Sequence, residues 1–173
     1  GYVDALLKQG FKPGSPSIEI GKKQVEQQKK ILDYVKVFFK KFSEECPDQK
    51  LIIRPHPSEK IEYWFDLIKN NKNIEVIFDD QSTCSWIAAS DLLLSTNCTT
   101  AIEAFFLGKK CVNFLPFKDE SVEFILPKAI SKLIRDTDEL IEIIKNLKNI
   151  ENFDLSNEDK SIVKERLFNS FDG

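Results

Sequence analysis

The single histidine of this chain stands in Arg54-Pro55-His56-Pro57-Ser58, directly after the apolar run Leu51-Ile52-Ile53. Two prolines fix φ on either side of the imidazole and push the residues before them towards extended backbone. A histidine held in this way can donate to a phosphate oxygen or titrate near neutral pH. Arg54 can grip a phosphate or carboxylate through two parallel N–H bonds. Ser58 can bind the same anion or cap the helix that follows, with Glu59 in its first turn. The same residues also admit a purely structural role, with His56 bonded to a backbone carbonyl and Arg54 a surface cation.

A second polar segment follows the run Leu92-Leu93-Leu94. Ser95, Thr96, Asn97, Thr99 and Thr100 offer hydroxyl and amide donors just before a helix, whose first N–H groups suit an anion. Thr100-Ala101-Ile102-Glu103 also fits a capping box, in which Glu103 reaches back to the start of its own helix, so ligand binding and capping both stand open. Cys98 lacks a second histidine to activate it and is a poor nucleophile. Asp79-Asp80 closes a strand and reads as a turn signal. Trp64 and Trp86 fall at helical spacing and read as packing residues. Glycine-rich loops of the GxGxxG or Walker kind are absent from the sequence, which argues against classical dinucleotide binding and ATP hydrolysis.

Holding two such segments requires strands with helices between them. The spacing predicts a loop over Phe11–Gly21, a helix over Lys22–Glu45 with Val25, Ile31, Leu32, Val35, Phe38, Phe39 and Phe42 on one side, and a stop at Pro47. It predicts strands at Leu51–Arg54, Ile74–Phe78, Asp91–Ser95, Cys111–Leu115 and Ser131–Ile134. Helices are expected at Glu59–Lys69 (with Ile61, Trp64, Phe65 and Ile68 inward), Thr83–Ala89, Thr100–Leu107 ended by Gly108, Thr137–Leu147 with Thr137 as N-cap, and Asn157–Phe168. Strands that are short apolar runs alternating with helices indicate a parallel sheet covered on both faces. The expected fold is therefore α/β, a three-layer Rossmann-like sandwich with one mainly parallel sheet, and its ligands would lie at the carboxyl ends of the strands. The expected organisation is an N-terminal remnant and loop over 1–21, a Rossmann-like domain over 22–150 and a C-terminal helix over 151–173.

The 173 residues are 42% hydrophobic and 31% charged, which suits one folded domain with a small appendage rather than a disordered chain. A net charge of −3 gives no basic footprint for nucleic acid. Four cysteines without CxxC spacing, beside one histidine, point to reduced structural thiols rather than a zinc site or a disulfide framework. No apolar stretch approaches the ~20 residues of a membrane span and no signal peptide is recognisable, so the expected location is cytoplasmic. The chain has no methionine, and we expect it to be a fragment or processed form whose missing half carries the other wall of an active site.

From about Lys30 to Leu147 the chain resembles the bacterial surface carbohydrate biosynthesis proteins (capsule and lipopolysaccharide). The resemblance lies in Leu51-Ile-Ile-Arg-Pro-His-Pro-Ser-Glu59, Trp86-Ile-Ala-Ala-Ser-Asp91 and Ser95-Thr-Asn-Cys-Thr-Thr-Ala-Ile-Glu-Ala104 to Gly108, and covers about two-thirds of the sequence. Those proteins are similar to the C-terminal, nucleotide-binding half of GT-B glycosyltransferases. The resemblance implies a nucleotide-sugar donor, with CMP favoured because the His-Pro pair is similar to that of sialyltransferases and capsular Kdo transferases. It implies that His56, aided by Arg54, contacts the donor phosphate. Ser95, Thr96, Asn97, Thr99 and Thr100 would hold phosphate or the sugar carboxylate, and Glu103 the ribose. It implies no resident cofactor or metal, an acceptor domain that precedes this one, and peripheral membrane association of the whole protein. Thr99-Thr100 and Lys110 replace the glycines and proline of the related UDP-GlcNAc 2-epimerases, which points away from an epimerase. No residue stands out as a catalytic base, so the chain alone would bind donor without completing transfer. Two other readings remain: a CDP-glycerol-type polyol-phosphate transferase, and a non-catalytic α/β binding or assembly module that docks through Phe38, Phe39 and Phe42.

Overall fold

Ser15 and Pro16 set the longest element. Ser15 has the extended backbone of an N-cap, and Pro16 enters the first helical turn, where its missing N–H leaves no bond unmade. Helix α2 therefore spans Pro16–Glu45 and absorbs part of the segment expected as loop, with Gly21 buried inside it. It is preceded by α1, Tyr2–Lys8, which the sequence pattern did not suggest. The structure, a computed structural model, describes residues 2–56, 59–150 and 153–168. Two compact units make up the chain, Gly1–Asp79 and Asp80–Gly173.

In the first unit, Ile31, Val35, Phe38, Phe39 and Phe42 of α2 are buried. Their spacing puts them on one helical stripe. The ring centroids of Phe38 and Phe42 are 5.7 Å apart, and those of Phe39 and Trp64 6.5 Å. The three phenylalanines thus serve as core, each worth roughly 1.5–3 kcal/mol of burial, and do not form a docking face. Strands β1 (Leu51–Ile53) and β2 (Ile74–Val76) pair in parallel, with Leu51 opposite Ile74 and Ile53 opposite Val76. Helix α3, Ile61–Ile68, joins them and begins two residues later than expected, with Lys60 at the N-cap. Its inner face is narrower than the pattern suggested, because Phe65 is 50% exposed. Asn71 Nδ2 donates to Ser43 Oγ at 2.7 Å and Asn73 Nδ2 to the Cys46 carbonyl at 2.9 Å, which ties the α3–β2 connection to the end of α2.

The second unit runs α4 (Thr83–Ala89), β3 (Leu93–Ser95), α5 (Thr100–Phe106), β4 (Cys111–Phe114), α6 (Ile125–Ala129), β5 (Lys132–Ile134) and α7 (Thr137–Lys145). A 3-10 turn at Leu147–Asn149 and α8 (Asn157–Val163), which passes into a π turn at Lys164–Phe168, complete it. Its three strands lie in the order β3-β4-β5, all parallel, with Ser95 opposite Asn113 and Asn113 opposite Leu133. Every residue of the central strand is buried. The core between sheet and helices includes Ile87, Ala101, Ala104, Cys111, Ile130 and Val163.

Helix ends in this unit follow local chemistry. Gly108 takes φ 64° after α5, and the N–H groups of Gly108 and Lys109 return to the carbonyls of Phe105 and Ala104. That is the paired closure a left-handed glycine permits. Helix α7 is capped by Asp136, whose carboxylate accepts from the N–H groups of Asp138 and Glu139, and not by Thr137 as expected. A charged acceptor one residue upstream satisfies both orphan donors and shifts Thr137 into the helix. The α/β class with parallel strand pairing, expected from the sequence, is the architecture observed, in two small sheets of two and three strands. Among the described residues no helix is long and apolar enough to cross a membrane.

Candidate functional site

The first candidate segment leaves the carboxyl end of β1. Pro55 is buried, and His56 is exposed immediately after it. The His56 N–H donates to Glu59 Oε2 at 2.8 Å, while the Glu59 N–H returns to the His56 carbonyl at 2.8 Å. This reciprocal closure, added to the fixed φ of Pro55, holds the His56 backbone and leaves the residue at the surface. Arg54 is half-buried, and its Nη1 pairs with Asp79 Oδ1 beyond the end of β2. Asp79, which read as a turn signal, is thus the brace of Arg54. Parallel pairing explains it, since both strands end on the same edge of the sheet. Ser58, expected to bind phosphate or cap α3, lies outside the described residues.

The second segment leaves the carboxyl end of β3. Ser95 is buried and its Oγ accepts from the Cys98 N–H at 3.2 Å. Asn97 is also buried and stands at φ 61°, the left-handed conformation that asparagine tolerates better than most residues. Thr96 and Thr100 are half-buried and Thr99 is exposed. The capping box expected at Thr100 and Glu103 does not form: Thr99 is the N-cap, in helical conformation, and no side chain caps the helix. Glu103 turns instead to α4, where Cys84 Sγ donates to its Oε2 at 3.3 Å. The Glu103 carboxylate holds the exposed Cys84 thiol above its ordinary pKa, with desolvation adding to the rise. Helix α5 has only seven residues, so the threonine hydroxyls and this carboxylate, more than a helix dipole, are what the segment offers a ligand.

Ser95 and Asn97 direct their polar atoms into the fold. The Asn97 N–H donates to Asn113 Oδ1 at 2.8 Å, its Nδ2 donates to the Val122 carbonyl at 2.7 Å, and its Oδ1 accepts from the Phe124 N–H at 2.7 Å. One side chain thereby grips the backbone on both sides of Glu123. That glutamate is buried, and its Oε1 accepts from Arg135 Nη2 at 3.0 Å and the Asp119 N–H at 3.1 Å. Lys128 Nζ lies 3.2 Å from its Oε2. Burial pushes the Glu123 carboxyl up, but the Asp119 N–H, Arg135 and Lys128 outweigh it and hold it below the ordinary carboxylate range. Arg135 Nη1 also donates to the carbonyls of Leu115 and Phe117. The loop after β4 is therefore stapled to the ends of β3 and β5, beside the Ser95–Thr100 turn.

Asn113, Glu123, Arg135 and Cys84 were not singled out by sequence reasoning. Asn113 carried a signal: an amide within the otherwise apolar Cys111–Phe114 strand must find a buried partner. Glu123 and Arg135 are twelve residues apart in sequence and carried none. Arg54 and His56 belong to the first unit, and Ser95, Thr96, Asn97, Thr99, Thr100 and Glu103 to the second; of these, Ser95 and Asn97 use their side chains on bonds inside the fold. Two concave surfaces are lined by none of the candidate residues. One, of about 480 Å³, is lined by residues of α2 and the end of α3, among them Lys40, Ser43 and Asn70. The other, of about 280 Å³, includes Phe105, Lys110 and Leu155. Comparison with known proteins gives no match to any family model, curated sequence or solved structure.

Proposed function

We propose that the chain is the donor-binding portion of a GT-B-like glycosyltransferase for a bacterial surface polysaccharide, working in the cytoplasm with a CMP-linked acidic sugar such as Kdo or a nonulosonic acid. The observation that carries this reading is Glu103, a first-turn carboxylate that leaves its own helix uncapped and is half-buried beside Thr99 and Thr100. A carboxylate in that state is an acceptor for ribose hydroxyls, and the threonines supply donors for an anion. In the first unit, the backbone-locked His56 and the Asp79-braced Arg54 offer donors for an anion; the resemblance assigns them the donor phosphate, whose negative charge they would stabilise as the bond between the sugar's anomeric carbon and the phosphate oxygen breaks. The acceptor and the base that takes its proton belong to a part of the enzyme outside this chain.

Calorimetric titration with CMP tests the reading. Saturable binding that His56→Ala weakens tenfold or more, about 1.4 kcal/mol or above, supports it. Absence of heat with CMP, or an affinity that His56→Ala leaves unchanged, overturns it. Binding of CDP-glycerol with no binding of a CMP-sugar would instead assign a polyol-phosphate transferase, and binding of neither a non-catalytic module.

A further inference from the structure

We propose that Cys84 is a positioning residue for Glu103, holding its carboxylate ready for the vicinal hydroxyls of a ribose; this rests on the donor-binding reading above. With Thr99 as the N-cap, Glu103 falls one place beyond the position from which a glutamate folds back onto the N-cap backbone. Here the cap receives no side chain, and Glu103 Oε2 accepts from Cys84 Sγ at 3.3 Å. The partner belongs to a different helix, so the carboxylate is fixed against α4 and not against its own first turn. Cys84 is the second residue of α4, whose N-cap is Ser82, so the thiol that meets Glu103 sits in the first turn of its helix.

The chemistry of the pair suits a ligand with two adjacent hydroxyls. An ionised carboxylate has two oxygens and about four acceptor sites, and a single S–H occupies one of them. A thiol is a weak donor, so it orients the carboxylate without competing strongly against ligand O–H groups. Of the four cysteines, Cys46 and Cys111 are buried, Cys98 is half-buried and Cys84 is exposed, which puts this edge of the carboxylate within reach of solvent and solutes. The interaction also keeps the thiol protonated, so Cys84 serves as a donor and not as a nucleophile.

Titration of the whole chain with CMP and with 2′-deoxy-CMP, alongside site-resolved alkylation, tests the proposal. Cys84→Ala should weaken CMP binding about threefold or more, the scale of one net hydrogen bond, and weaken 2′-deoxy-CMP, which keeps only one of the two hydroxyls, by distinctly less. Cys84→Ser, which keeps an X–H donor, should stay within about twofold of the parent on the same scale. In a Glu103→Gln background the Cys84→Ala effect should vanish, because the acceptor it positions is gone. Independently of any nucleotide, Glu103→Gln should speed iodoacetamide alkylation of Cys84 at one mildly alkaline pH, read by peptide mass spectrometry. Equal weakening of CMP and 2′-deoxy-CMP by Cys84→Ala would show a general structural loss and overturn the inference. CMP binding that His56→Ala and Glu103→Gln weaken but Cys84→Ala does not would also overturn it while the donor reading stands. Failure of the parent chain to bind CMP at all would remove both.

Discussion

Replacing Arg135 with alanine should destabilise the second unit by about 2–4 kcal/mol. The Arg135 guanidinium donates to the carbonyls of Leu115 and Phe117 at 3.0 and 2.7 Å and to Glu123 Oε1 at 3.0 Å. The Glu123 side chain is 3% exposed and that of Arg135 32%. Stripping one partner from a fully buried ion pair costs roughly 3–5 kcal/mol. The expected figure is lower because Arg135 is partly solvated, and because the Asp119 N–H and Lys128 remain beside the carboxylate. Arg135→Lys should cost about half as much, since one ammonium cannot span two carbonyls and a carboxylate. Urea unfolding followed by Trp86 fluorescence measures it, in a Trp64→Phe background so that only the second unit reports. A loss below about 0.5 kcal/mol, the scale of an exposed pair, would refute the reasoning, as would strict additivity of Arg135→Ala and Glu123→Gln in a double-mutant cycle. The pH dependence gives a second check. Glu123 has a lower pKa folded than its ordinary value, so the unfolded chain binds the proton more readily. Its stabilisation is therefore complete above the ordinary glutamate range and is lost as pH falls through the folded value. Arg135→Ala should flatten that acid limb.

Other substitutions separate backbone from side-chain effects. Asn97→Ala removes two buried side-chain hydrogen bonds, about 1–3 kcal/mol, and forces alanine into a left-handed backbone at a further cost of about 1 kcal/mol. Asn97→Gly should retain the first loss and escape the second, and thermal unfolding of the pair reads the difference. Asp136→Ala should cost about 1 kcal/mol as the loss of the α7 cap, whereas Thr137→Ala should stay within about 0.5 kcal/mol; equal losses in urea titrations would place the cap wrongly.

Much of the fold was legible because strand and helix periods are local properties. The spacing of Ile31, Val35, Phe38 and Phe42 wrote the inner face of α2, the apolar runs before Arg54 and Ser95 wrote β1 and β3, and Gly108 wrote the end of α5. Errors fell where one residue type has two meanings. Pro16 falls in the segment expected as loop yet opens α2, since proline is favoured at a first helical turn and excluded only further in. At α7 two neighbouring residues could each cap, and the carboxylate of Asp136 prevailed over the Thr137 hydroxyl. The short helices α1 and α6 lack a long periodic stripe, so their pattern is too brief to distinguish from loop.

The sequence by itself determined the α/β class, the order of the elements apart from α1 and α6, and the concentration of polar groups in two segments, Arg54–Ser58 and Ser95–Glu103, at or after strand ends. Those features depend on neighbours within a few positions along the chain. Only the tertiary structure decided how the polar groups are used. Asp79 braces Arg54 because two parallel strands end on one edge, and Asn97 clamps the loop around Glu123 because β3 and β4 lie side by side. Glu103 meets Cys84 because α4 packs on α5. Each of these contacts joins residues far apart in sequence, and a hydrogen bond is specified by distance and direction in space, which no local pattern encodes.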